Sequence, residues 1–423
     1  MIKYFGKLSA FNKKVFILSS GSLISQALIV AISPVLTRIY APESFGLLAV
    51  FTSMSAIFAS LFSGKYEHAI ILPKEDEKAK NIGFFCFLIS LSLSIVLLGI
   101  MLLNHHLFIR FFNFNASPWQ IILLVPFMTV FIAVYSCLQL WFQRKEEFSI
   151  SSLNAITQSL ITIITNVLFG LLGIKIFGLV YGYILSIVFS TIFLSVIFLK
   201  KEGVSSLLKN LSLIKAVRAG IEYKKFPLTI LWAELLVTFS QQLMPLLLTS
   251  IYTSSIVGLF AFSNRILKIP SILLSNSIWG VFRVEAIKIK NNNQPIIPIY
   301  LSTLKKLLLV GLLPYLVILI AGQFIFQIAF GDKWVISGLY AQIMSLYVYS
   351  DLVAFPLSSI FIICNKSKLY FLVQIITILF TVGGILLGKW WGGDIYSIVL
   401  YSGFGILANV ISVFLSYKIA SRD

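Results

Sequence analysis

Residues 82–103 read IGFFCFLISLSLSIVLLGIMLL, without one charged side chain. A helix needs about 20 apolar residues to cross the roughly 30 Å hydrocarbon core of a bilayer, and this stretch has that length. Reading outward with the same window gives further runs at 15–37, 45–64, 119–142, 151–173, 177–199, 227–250, 256–281, 303–326, 337–363, 369–388 and 395–417. With the first, these make twelve spans. Of the 423 residues, 59% are hydrophobic and 11% charged, and the mean hydropathy is +0.97. Soluble globular chains carry about 25% charged residues. So little charge cannot cover a water-facing surface, and lipid is the solvent for most of this chain. No A-x-A-like cleavage site follows 15–37, so that run is expected to be the first span rather than a removed signal peptide.

Lysine and arginine number 33 against 15 acidic residues, a formal net charge of +18. In a soluble protein that excess would point to nucleic acid. Here the bases sit in short clusters between apolar runs, as the positive-inside rule describes, and no nucleic-acid partner is expected. With both termini on the cytoplasmic side, 26 basic residues fall on that side. The opposite side receives only Arg38, Arg110, Lys175, Lys333 and Lys389. A multi-pass protein of the cytoplasmic (inner) membrane with cytoplasmic termini is therefore expected. The longest inner connection, 200–226, places Val204, Leu207, Leu211, Ile214 and Ile221 near helical spacing among lysines. This pattern predicts an amphipathic helix on the inner leaflet. Ile2, Phe5 and Leu8 against Lys3 and Lys7 predict a weaker version of the same feature.

The halves carry traces of duplication. Thr37-Arg38-Ile39-Tyr40 is followed by Gly46-Leu47 and Ala49, and Thr249-Ser250-Ile251-Tyr252 is followed at identical spacing by Gly258-Leu259 and Ala261. Upstream, Ser25-Gln26 and Pro34 are echoed, with a gap, by Ser240-Gln241 and Pro245. The offset is 212 residues, half the chain, and six spans lie between the copies. Both copies then enter the membrane in the same direction, which is a parallel repeat with its axis along the membrane normal. The expected organisation is a six-helix bundle over 1–199, a linker over 200–226 and a second six-helix bundle over 227–423. Such halves can rock about a central cavity.

The stretch PVLTRIYAPESFG at 34–46, continued by KYEHAIILPKED at 65–76, resembles the opening signature of the bacterial polysaccharide flippases. These belong to the multidrug/oligosaccharidyl-lipid/polysaccharide (MOP) exporter superfamily. The resemblance is strongest over about residues 18–80, and beyond that rests on span number, the two halves and loop lengths. It implies an all-α fold of two pseudo-symmetric six-helix bundles. It also implies translocation of undecaprenyl-pyrophosphate-linked oligosaccharide repeat units across the membrane by alternating access, for O-antigen or other surface polysaccharide. The implied partners are the lipid-linked glycan, membrane lipid and other polysaccharide assembly proteins. A cargo bearing pyrophosphate implies a cationic cavity.

The residues offer candidates for that cavity. Arg265 and Lys268 fall inside the eighth predicted span. A charge near mid-membrane costs about 2.5–3.5 kcal/mol, so each should face a wet cavity or a partner. Their i, i+3 spacing puts both on one helix face, where they could hold one pyrophosphate. Pairing with Glu234 or Asp351, also inside predicted spans, is the plainer alternative. These two acids are equally candidates for H+ or Na+ coupling. Lys65 and Arg38 end the second and first spans; each is a candidate phosphate contact or an interfacial anchor. Gln26, Gln241, Gln242, Asn154, Gln158, Asn166 and Asn264 need partners in hydrocarbon and are expected to face the interior.

Metal chemistry has little support. Glu75-Asp76-Glu77 reads as a helix start with acids near the positive end of the dipole. His105 and His106 are adjacent and expected to point apart. Cys86, Cys137 and Cys364 lie in or beside apolar runs, without a C-x-x-C, and read as small apolar residues. No cofactor is expected beyond the coupling ion. Two rivals stay open: another exporter of the superfamily, for drugs or peptidoglycan precursors, and a membrane glycan polymerase or glycosyltransferase. The enzyme should show a large outer loop or a DxD, which this chain lacks, so no catalytic residue is expected.

Overall fold

A computed structural model describes residues 10–106, 118–203, 212–292 and 294–422. The predicted amphipathic positions Ile2, Phe5, Leu8, Val204, Leu207 and Leu211, and also Arg110, lie outside them. The described chain is helical. In order come α1 (Ala10–Ile39), α2 (Pro42–Phe62), α3 (Asp76–Leu103), α4 (Pro118–Arg144), α5 (Phe148–Leu171) and α6 (Gly178–Glu202). A short α7 (Leu213–Glu222) precedes α8 (Leu231–Ile251), α9 (Ser254–Asn291), α10 (Ile297–Phe330), α11 (Val335–Leu357), α12 (Ser359–Ile363), α13 (Ser367–Trp391) and α14 (Asp394–Ala420). Among the described residues, 11 helical segments are long and apolar enough to cross a membrane. The long helix α9, which carries Arg265 and Lys268 and corresponds to the eighth predicted span, is not among these 11.

Two boundaries differ from the sequence reading. At 38 and 34 residues, α9 and α10 run well past their predicted spans. At 1.5 Å per residue they are about 57 and 51 Å long, more than the roughly 30 Å of hydrocarbon requires. Hydropathy marks only the part of a helix in lipid, so charged extensions such as Arg283 to Lys290 escape it. The tenth predicted span, 337–363, is broken at Ser358 into α11 and α12, two residues after Pro356. Pro34, Pro126, Pro245 and Pro314 are accommodated inside their helices.

Contacts divide the chain into two compact units, Met1–Leu246 and Leu247–Asp423. In the first unit α4 packs on α2, α3 and α6, and α5 packs on α6. In the second, α11 packs on α9, α10 and α14, and α13 packs on α14. Matching helices in order along the two halves makes these the same pairings. The repeated sequence has repeated geometry as well. Ala41 (φ −82°, ψ 162°) and Thr253 (φ −75°, ψ 156°) are the single extended residues at which α1 turns into α2 and α8 into α9. The preceding tyrosines each tie their turn to a distant helix. Tyr40 donates to the Asn166 carbonyl at 2.7 Å, and the Tyr252 hydroxyl lies 2.6 Å from Ser397 Oγ.

In hydrocarbon the backbone must satisfy itself, and helices approach closely where side chains are small. Gly384 and Gly388, four apart on α13, make that approach. A Cβ at Gly388 would lie 2.3 Å from the Ser397 backbone, and one at Gly384 would lie 2.8 Å from that of Leu400. The α13–α14 hairpin therefore packs backbone against backbone. On α7, the small residues Ala216, Ala219 and Gly220 are buried. The bulky residues of that helix face outward, with Ile214 73% and Ile221 63% exposed. Bulky apolar residues outward among basic ones suit the surface of a leaflet.

Candidate functional site

The second signature stretch builds a polar cluster at one end of the first unit. α2 ends at Phe62, and Gly64 (φ +55°) and Lys65 (φ +59°) reverse the chain in the left-handed region. That conformation is uncommon for a residue with a Cβ, so Lys65 is held by its surroundings. A 3-10 turn, Tyr66–Ile71, follows. Tyr66 is buried and donates to the Gly220 carbonyl of α7 at 3.0 Å. Ser63 Oγ donates to Glu67, also buried, at 3.2 Å.

Lys65 Nζ lies 3.0 Å from Glu234 Oε2 and 3.7 Å from Glu67 Oε1, and His68 Nε2 lies 3.2 Å from Glu234 Oε2. One carboxylate of α8 thus bridges a lysine and a histidine of the turn after α2. The His68 pKa is raised above its usual value of 6.5. The hydrogen bond to Glu234 is the main cause; burial opposes it, the charges of Glu234 and Glu67 add to it, and Lys65 subtracts.

A raised histidine pKa contributes stability that is complete below the unfolded pKa and is lost as pH climbs through the folded one. Purified protein should therefore melt at a higher temperature at about pH 6 than at about pH 8. The His68→Gln variant should lose the part of that difference owed to this pair. A pH dependence identical in the wild type and the variant would refute the assignment.

Beside this cluster Arg144, at the end of α4, closes the segment between the turn and α3. Its guanidinium donates to the carbonyls of Ile70 (3.2 Å), Lys74 (3.1 Å) and Pro73, and to Asp76 Oδ1 (3.0 Å). Lys145 takes the other oxygen of Asp76. Glu77 is bound by Lys215, so two of the three acids at 75–77 serve as ion-pair partners. Among the described residues no group of three or more His, Cys, Asp or Glu could hold a metal ion. The pairs Lys78–Glu222, Lys80–Glu202 and Lys201–Glu147 lie at the same end. Exposed pairs such as Lys78–Glu222 contribute little each. The partly buried, multiply bonded Arg144 counts for more. All these residues belong to connections that the charge pattern places on one side of the membrane.

The other candidates are distributed differently. Arg38 is exposed at the end of α1. In the second unit, Arg265 and Lys268 stand on α9 and are partly buried. Neither has a salt bridge to a described carboxylate. Asp351 stands on α11. Glu234 is instead engaged with Lys65 and His68.

Several participants escaped the sequence reading. Glu67, His68 and Arg144 lie outside the spans, where charged residues attract no notice. A partly buried network in the first unit joins Tyr135 to Gln158 (3.2 Å), Gln139 (2.9 Å) and Asn154 (3.3 Å). On α11, Tyr347 and Asp351 occupy the places of Tyr135 and Gln139 at the same 212-residue offset. That offset was the available signal. Asn154 and Asn166 are buried as expected, whereas Gln26 and Gln241 are exposed. The rings of His105 and His106 do not point apart: their centroids are 3.8 Å apart, and Trp119 stacks on His105. α3 ends at Leu103, and the pair stands just beyond it. The three cysteines are buried.

Residues 35–337 match the profile of the polysaccharide biosynthesis protein family. The chain belongs to that family. No curated protein matches it. Its fold is shared with solved structures of low identity. The lipid II flippase MurJ, in an inward closed conformation, aligns at 14% identity over 95% of this chain and 87% of that one, with a TM-score of 0.74. An inward-facing multidrug resistance MATE transporter of the MOP superfamily aligns at 16% identity over 95% of each chain, with a TM-score of 0.69. A substituted form of the Vibrio cholerae MATE transporter VcmN aligns at 14% identity over 97% of each, with a TM-score of 0.56. This member of the polysaccharide biosynthesis family is thus an all-α, multi-pass membrane protein with the MOP exporter fold. The structures it resembles are transporters and a flippase rather than enzymes.

Proposed function

We propose that this chain is a flippase for undecaprenyl-pyrophosphate-linked oligosaccharide repeat units. It would move them from the cytoplasmic to the outer leaflet of the inner membrane during assembly of O-antigen or another surface polysaccharide. The observation that carries the reading is the coincidence of a polysaccharide family match over residues 35–337 with a fold shared with a lipid II flippase. The physical need is clear. Each hydroxyl buried without a partner costs roughly 4–8 kcal/mol in a hydrocarbon-like medium, so a few sugars make unassisted crossing prohibitive.

In this proposal the halves 1–199 and 227–423, joined by 200–226, are the bodies that rock, and both termini are cytoplasmic. Arg265 and Lys268 hold the pyrophosphate. Lys65 and Arg38 are contacts on its route, with Lys65 first released from Glu234. Glu234 and Asp351 are the carboxylates available to H+ or Na+ coupling.

The test is deletion of the gene in its host. Surface glycan should disappear while lipid-linked repeat units accumulate and stay inaccessible from outside. Re-expression of the wild-type chain should reverse both effects. Unchanged surface glycan would sink the polysaccharide reading, and altered drug tolerance in the same strain would favour export of small molecules.

A further inference from the structure

We propose that a groove between α10, α11 and α14 is a binding site for an anionic phospholipid of the surrounding leaflet. The groove has a volume of about 600 Å³, within the range of about 300–1,000 Å³ usual for small-molecule sites. Its walls include Leu304, Leu308, Val353, Val410 and Phe414. Several open to the outside, with Val410 56% and Phe414 62% exposed.

Three of the four polar side chains of the groove are already used. Asn409 Nδ2 donates to Ser350 Oγ at 2.9 Å, Ser350 Oγ donates to the Tyr347 carbonyl at 2.7 Å, and the Tyr349 hydroxyl donates to the Leu308 carbonyl at 2.8 Å. An occupant therefore finds apolar wall and hydrogen bonds already made between neighbours. That suits a hydrocarbon chain and penalises a polar ligand, whose own groups would lose water without replacement.

The rim supplies the charge. Tyr300, near the start of α10, donates to the Val413 carbonyl at 2.9 Å and lies 2.7 Å from Ser416 Oγ, near the end of α14. That contact brings Lys305, Lys306 and Lys418 to the same end of the unit as the groove. All three lysines are exposed, and no described carboxylate pairs with them. Tyr417, in the groove wall beside Lys418, is 41% exposed; a tyrosine at this level suits the boundary between tails and headgroups. Lysine stems can follow the apolar wall while the ammonium groups reach a phosphate. Three cations and no acid at the mouth of an apolar groove select an anionic headgroup over a zwitterionic one. The chain of that lipid lies along α14, and its phosphate sits between Lys305 and Lys418.

Brominated acyl chains test this, because bromine quenches tryptophan on contact. The full chain carrying Phe414→Trp would be reconstituted in mixtures of phosphatidylcholine and phosphatidylglycerol, with one lipid brominated at a time. The reporter should be quenched by phosphatidylglycerol at a several-fold lower mole fraction than by phosphatidylcholine. A second reporter, Leu379→Trp on the exposed face of α13, should respond to both lipids alike. Changing Lys305, Lys306 and Lys418 to Gln should erase the preference at 414. Equal quenching by both lipids at 414 would overturn the site, leaving only annular lipid. So would a preference that survives the lysine changes. Relief of quenching by an equimolar polyprenyl phosphate would overturn the phospholipid assignment and give the groove to a prenyl chain. Protection of 414 from both lipids, with 379 still quenched, would show that protein covers the groove.

Discussion

Replacing Arg265 and Lys268 together with alanine should reduce surface polysaccharide to the level of the deletion strain while the protein persists in the membrane. The two charges stand three apart on α9, and a charge near mid-membrane costs about 2.5–3.5 kcal/mol to insert. No salt bridge to a described carboxylate offsets that cost within the fold. Their removal should therefore leave stability unchanged or slightly raised. A structural ion pair would behave oppositely, since deleting one partner strands the other and destabilises strongly. Hydrogen bonds to charged groups contribute about 1.5–3 kcal/mol each. Each single substitution should thus slow translocation by roughly 10- to 100-fold, with Arg265→Lys the milder because charge persists while the bidentate fork is lost. The measurement is surface glycan and accumulated lipid-linked repeat units at matched membrane levels, with a melting curve of each purified variant. Full complementation by the double variant would move the pyrophosphate site elsewhere. Lost expression with a lowered melting temperature would make the pair structural.

Arg144→Ala should be the most destabilising single change at the charged end of the first unit. One guanidinium there bonds four backbone carbonyls, of Ile70, Ile71, Pro73 and Lys74, and the Asp76 carboxylate. Alanine leaves those carbonyls and Asp76 short of a donor, although Lys145 still holds the acid. With part of the site open to water, the loss is about 2–4 kcal/mol rather than the full sum of its bonds. Arg144→Lys should recover little, because an ammonium cannot span acceptors spread from Ile70 to Asp76. The segment it holds carries Glu67 and His68, so loosening it should also erase the pH dependence set by His68 and Glu234. Thermal unfolding of the variants in detergent checks both points. An unchanged melting temperature would show that the carbonyls are satisfied another way.

The helices and their order were legible because lipid enforces a simple rule: a backbone that crosses hydrocarbon must be helical, and its side chains must be apolar for about 20 residues. The duplication was legible because Thr37 to Tyr40 and Thr249 to Tyr252 build the same one-residue turn, and a turn needs particular residues at particular places. Two kinds of feature were not legible. The extension of α9 from Arg283 to Lys290 is charged, and hydropathy has no signal there. Pairings between distant charges leave no trace in local composition. Glu234 looked like a partner for Arg265 or Lys268 because all three lie within predicted spans. It is bound to Lys65 and His68, more than 160 positions earlier in the chain.

From the sequence alone came an all-α membrane protein of two repeated halves and the two cations three apart on α9. These follow from solvation free energies that each segment carries wherever it packs. Tertiary structure alone decided which acid neutralises Lys65, that Arg144 holds the signature segment, that Gly384 and Gly388 seat two helices in contact, and that an apolar groove opens under Lys305 and Lys418. Each of these depends on which helix faces which. That is settled by packing across the whole bundle, and no local stretch of residues encodes it.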